Sequence, residues 1–136
     1  MRILAVDLGL ARTGLAISDE SGFLASPVGT VEEKDLAALS EKVVSVARER
    51  QVGEIVVGHP RNMDGTCGES ARRAEAFAND LREKTGLPVR LWDERMTTVS
   101  AIGFLNQNDV RGKKRKAVVD TVSAVIILQN YLDSLS

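Results

Sequence analysis

Apolar residues recur along this chain with a period that changes from segment to segment, and each period predicts an element. "RILAVD" at 2–7 is a short apolar run of the kind that forms a buried strand, and it ends on a carboxylate. "RTGLAISD" at 12–19 sets Leu15 and Ile17 against Ala16 and Ser18, which reads as a second strand. "DESG" at 19–22 is a turn, and "FLASPVGTV" at 23–31 reads as a third strand whose Pro27 suits an edge. Together these predict an antiparallel meander. From Lys34 to Gln51, Leu36, Leu39, Val43, Val46 and Ala47 fall on one helix face. "EIVVG" at 54–58 follows as a compact buried strand, which predicts a parallel crossover. A second helix spans about 68–85, with Ala74, Phe77, Ala78 and Leu81 on one side and Gly86 and Pro88 as its stop. "PVRLWD" at 88–93 is the fifth strand. Thr97 reads as the N-cap of a helix carrying Ala101, Ile102, Phe104 and Leu105, "NQNDVRGKKRK" at 106–116 as a polar connection, and "AVVDTVSAVIILQNYLD" at 117–133 as a long last helix. The order β-β-β-α-β-α-β-α-α, without repeat or linker, predicts one α/β domain over residues 1–136.

Composition narrows the chemistry. With one cysteine, Cys67, and one histidine, His59, an internal disulfide and a nitrogen-and-sulfur zinc site are both excluded, so any metal must be held by oxygen. His59, alone beside Pro60, reads as a loop residue more readily than as a general base, and Cys67 lacks the paired base a nucleophile needs. No window approaches the roughly 20 apolar residues of a membrane span, so a cytoplasmic protein is expected. The formal net charge of −1 gives no global reason for a polyanionic partner, but "RGKKRK" at 111–116 places five positive charges in six positions.

Three carboxylates stand at the ends of predicted elements. Asp7 closes the first strand, Asp93 and Glu94 close the fifth, and Asp120 lies in the first turns of the last helix, in angular register with Ala124, Ile127 and Tyr131. Ligands of open α/β sheets bind beyond the carboxyl ends of the parallel strands, which would put Asp7 and Glu94 along one edge. Gathered carboxylates repel unless a divalent cation neutralises them, and an all-oxygen acidic site suits Mg²⁺ or Mn²⁺. That pattern points to phosphodiester hydrolysis. Taken singly, Asp7 is also an ordinary turn residue, Asp120 an ordinary helix-start charge, and Glu94 a partner for Arg95.

"DLGLARTGLAISD", "VVGHPRNMDGTCG", "DERMTT" and "VDTVSAVIILQNYLD" span nearly the whole chain, and in combination they resemble the YqgF/RuvX family of pre-16S ribosomal RNA nucleases, relatives of Holliday junction resolvases. The resemblance implies a ribonuclease H-like fold: a five-stranded mixed sheet of order 3-2-1-4-5 with helices on both faces. It implies a nuclease that uses Mg²⁺ or Mn²⁺ to mature the 5′ end of small-subunit ribosomal RNA. Carried over by position, its metal-binding and catalytic acids fall on Asp7, Glu94 and Asp120. Arg95, Thr97 and Thr98 complete "DERxTT" and would hold the scissile phosphate or orient Glu94, while Asn62, Asp64 and Gly65 match its "NMDG" loop. His59 and Ser100 depart from the family's pattern. Many ribonuclease H-like nucleases also end the fourth strand on a carboxylate, where this chain has Gly58-His59-Pro60, so Asp64 or Asp93 is a candidate extra ligand.

The expected partner is nucleic acid: pre-ribosomal RNA, met within the pre-ribosome, with Lys113, Lys114, Arg115 and Lys116 following its backbone. With 4% aromatics and Trp92 as the only ring near the site, recognition should rest on backbone charge and shape. A junction resolvase acting on branched DNA is the alternative, as is a non-catalytic RNA-binding assembly factor. No apolar stripe remains for a large interface, so a monomer or weak dimer is expected. "DLGLARTG" also fits the phosphate turn of actin-like ATPases, but these close two such domains on a nucleotide.

Overall fold

The computed structural model describes residues 1–60, 68–94 and 112–135, with side chains in the last segment from residue 122 onward. Five strands, β1 (Arg2–Asp7), β2 (Arg12–Ser18), β3 (Ala25–Glu32), β4 (Val52–His59) and β5 (Val89–Asp93), form one sheet in the order β3-β2-β1-β4-β5. Both pairings within the β1-β2-β3 meander are antiparallel, whereas β4 and β5 add to β1 in parallel. This is the expected order. Pro27 lies on β3, at the sheet's edge, where a missing N–H costs no ladder bond.

Alternation along the strands sorts side chains into two cores. Leu4, Val6, Leu15, Ile55 and Val57 face α1 (Leu36–Glu49) and α2 (Glu69–Thr85), which bring Leu39, Val43, Phe77 and Leu81. Ile3, Ala5, Ala16 and Val56 face α3 (Gly112–Ser134), which brings Ala124, Ile127, Leu128 and Tyr131. The small Ala5 and Ala16 let α3 lie close across β1 and β2. Among the described residues no helix is long and apolar enough to cross a membrane.

Local chemistry accounts for where the elements stop. The Asp35 carboxylate accepts from Ala38 N–H at 3.3 Å, so α1 starts at Leu36 rather than Lys34. Asp19 accepts from the N–H groups of Phe23 and Leu24, which holds these apolar residues in the turn, exposed, and delays β3 to Ala25. The Ser21 hydroxyl above all, and then those backbone contacts, hold the Asp19 carboxyl down at about 2. The last helix begins at Gly112, so the basic residues 113–116 are helical rather than part of a polar connection. Lys and Arg are good helix formers, and a helix end without apolar periodicity is invisible to a hydrophobic pattern. The helix expected after Thr97 lies outside the described residues.

Candidate active site

Three strand ends converge beneath α3. Asp7 continues the Ile3-Ala5 alternation and so belongs to the α3 face of β1. Gly58 continues Val56 on the same face of β4, one residue beyond the paired Val6 and Val57. Trp92 pairs with Gly58 across β5, and Glu94 follows two residues later. Its side chain folds back over the fourth strand, for a Cβ built on Gly58 would meet Glu94 Cγ at 3.0 Å, Cδ at 2.6 Å and Oε1 at 2.9 Å.

Lying across β4, the Glu94 carboxyl hydrogen-bonds to Asp7. Glu94 is 8% exposed. Burial, then the hydrogen bond to Asp7, then the charges of Asp7 and Asp93 push its carboxyl up to about 9. Asp7 is raised by burial as well, and is lowered in part by the bond it accepts. The pair therefore shares a proton at neutral pH, Glu94 donating and Asp7 accepting. Two buried carboxyls forced together make an all-oxygen donor set, which fits a hard divalent cation and no softer metal.

The loop after Asp7 is fixed from behind. Gly9 approaches the chain so closely that a Cβ there would stand 2.0 Å from Arg12 O, and its own carbonyl accepts from Arg73 Nη1 of α2 at 2.8 Å. The turn beside the first acid is thus pinned by backbone and guanidinium together. Arg73 has no sequence signal for this role. Gly58 had one, a glycine inside a strand pattern, whose usual meaning is a bulge or a close approach.

Among the described residues, His59, Asp93 and Trp92 do not join the pair. His59 is neither in a loop nor in the site: it ends β4, 5% exposed, and faces α2, where its Nε2 stands 3.3 Å from Glu75 Oε1. Asp93 pairs in register with His59, and strand alternation assigns it to that opposite face. Trp92 meets Tyr131 edge-on, with ring centroids 5.6 Å apart at 82°, so the ring expected to stack on a base packs beneath α3. Asp120 lies in α3, one turn before the buried Ala124; its side chain is outside the described residues, as are those of Lys113, Lys114, Arg115 and Lys116. Asn62, Asp64, Gly65, Cys67, Arg95, Thr97, Thr98 and Ser100 also fall outside them. Among the described residues no group of three or more His, Cys, Asp or Glu is placed to hold a metal, so the described site is a pair.

Comparison with known proteins matches this architecture. Two viral and bacterial resolvases share the ribonuclease H-like fold: the fowlpox virus resolvase, solved with Holliday junction DNA (TM-score 0.64, 11% identity, 99% of each chain), and Thermus thermophilus RuvC, solved with a Holliday junction substrate (TM-score 0.58, 13% identity, 99% and 96%). Sequence relatives are much nearer. Proteins of Geobacillus thermodenitrificans (45% identity, 98% and 99% of the two chains) and Lachnospira eligens (44%, 98% of each) both carry the name "Putative pre-16S rRNA nuclease". The family described as "RuvX: Holliday junction resolvase" matches residues 1–134, and with that match over a sheet whose strand-end acids meet beneath α3, the chain belongs to the RuvX family.

Proposed function

We propose that the chain is a divalent-metal-dependent endonuclease that trims the 5′ end of pre-16S ribosomal RNA in the cytoplasm, within the pre-ribosome, with Asp7, Glu94 and Asp120 as its metal-binding and catalytic acids. The observation that carries this reading is the buried Asp7–Glu94 pair: two desolvated acids in contact cost stability, and binding a cation is a chemical use that offsets the cost. Mg²⁺ or Mn²⁺ bound there would polarise the phosphate and make water a stronger nucleophile. The chain's own contribution is placement. Glu94 is covered from solvent, the Arg73–Gly9 contact fixes the turn after Asp7, and the two acids would together hold the cation once their shared proton has left. Arg95, Thr97, Thr98 and Asn62 are assigned to the substrate phosphates, and Lys113, Lys114, Arg115 and Lys116 to the flanking backbone. The inward packing of Trp92 supports recognition by charge and shape rather than by base stacking. A monomer or weak dimer suffices for a single-strand cut.

Cleavage of precursor ribosomal RNA and of a four-way DNA junction, each with Mg²⁺ and with Mn²⁺, tests the reading. Metal-dependent cutting of the RNA, weak and little sequence-selective on short isolated strands, is expected. Paired nicking of the junction by a stable dimer, far faster than RNA cleavage, would overturn the ribosomal assignment, and RNA binding without cleavage would overturn catalysis.

A further inference from the structure

Glycine is a poor strand residue, because it gives up the most backbone entropy and packs nothing. Gly58 nevertheless stands next to last in β4, within a run that is buried from Glu54 to His59. Its backbone does not ask for glycine, since it lies outside the left-handed region occupied by Gly22, Gly29 and Gly86. What the position lacks is room. Any other residue brings a Cβ, and that atom would meet three atoms of Glu94 at 2.6–3.0 Å, distances that require one of the two to move.

Neither neighbour gives way easily. The backbone of β4 is held by ladders to β1 on one side and β5 on the other. Glu94 is covered from solvent and hydrogen-bonded to Asp7, so displacing it breaks the pair. We propose that Gly58 is a positioning residue: the gap it leaves on the α3 face of β4 is the passage through which Glu94 reaches Asp7, bringing the second carboxylate across a whole strand from β5. A chain with a side chain at this point of β4 would keep its sheet and lose its carboxyl pair. The catalytic consequence rests on the nuclease reading above; the steric claim stands apart from it.

A four-protein comparison separates the two: the parent, Gly58→Ala, Glu94→Ala, and both changes together. In the parent background Gly58→Ala lowers Tm by roughly 5 °C or more, the cost of overpacking a buried site. It also lowers kcat for RNA cleavage by about 100-fold with KM little changed, the effect of a misplaced group. In the Glu94→Ala background Cγ, Cδ and Oε1 are gone, and Gly58→Ala leaves Tm unchanged or raises it, since alanine restricts the unfolded chain more than glycine. A double variant more stable than Gly58→Ala alone supports the passage even if that single variant folds poorly. Equal losses of Tm in the two backgrounds, or a Gly58→Ala protein with full stability and full activity, would overturn it. If the coupling in Tm appears while the parent itself cleaves no RNA, the passage stands and the nuclease reading fails.

Discussion

Two glutamates lie on the same face of this sheet, under the same helix, with nearly equal burial, and their surroundings are opposite. Glu54, near the start of β4, is 7% exposed; it accepts from Tyr131 Oη at 2.6 Å and has Arg90 Nε at 3.5 Å. Glu94, past the end of β5, is 8% exposed and is set against another acid. Glu54 serves the fold, since its hydrogen bond ties α3 to β4 and raises the Tyr131 hydroxyl to about 12, chiefly through burial and then through that bond. Glu94, once ionised, works against the fold. Burial of an acid is therefore no functional signal by itself; what it is buried against decides, and two acids set against each other are a pairing characteristic of functional sites.

The sharpest way to break the contrast is to remove charge at each end. Asp7→Asn and Glu94→Gln are expected to lower the cleavage rate by about 10²–10⁴-fold, the range for loss of a group that acts on the reacting atoms, while thermal melts show folded protein of equal or greater stability. The largest effect on activity thus comes without a cost to the fold, and undiminished cleavage by either folded variant would remove that acid from the catalytic set.

Proton linkage sharpens the contrast next. Folding raises the Glu94 carboxyl from its ordinary 4.5 to about 9, so between those values the folded state holds a proton that the unfolded state has released. The stability this adds is complete below the lower value and is lost as pH rises through the upper one. Without divalent cations, urea unfolding should show the parent losing stability relative to Glu94→Gln as pH rises from 5 to 9. A constant difference over that range would deny the proton shared with Asp7.

The smallest effect belongs to the other end. Tyr131→Phe removes the donor that satisfies Glu54 and should cost about 1–3 kcal/mol of unfolding free energy, the penalty for a buried acceptor left without its bond. Cleavage per folded molecule should not change. A loss of activity larger than the loss of folded protein would mean that the two ends are not separable.

Sequence reading reached the antiparallel meander, the parallel crossover and the strand-end acids because these depend on local signals: apolar runs, a proline that marks an edge, carboxylates at the ends of runs; the full strand order came from the family resemblance. It missed what depends on contacts between distant residues. Nothing near Glu54 announces that Tyr131 will satisfy it, and the glycine at 58 signals a close approach without saying that Glu94 is what approaches. His59 looked like a loop residue because Pro60 follows it, yet the β4 ladder runs to its position and Glu75 comes from another element. Trp92 looked available to a base, and Tyr131 on α3 packs against it. The basic run looked like a connection because a helix rich in Lys and Arg shows no apolar stripe.

Calorimetric titration of Mn²⁺ into the parent, Glu94→Gln and Tyr131→Phe, at neutral pH in two buffers of different ionisation enthalpy, tests the central claim most directly. A cation that displaces the proton shared by Asp7 and Glu94 should bind the parent saturably with release of about one proton, bind Tyr131→Phe alike, and fail to bind Glu94→Gln. Saturable binding that Glu94→Gln retains, or binding to the parent with no proton released, would contradict the assignment of the pair as the metal site.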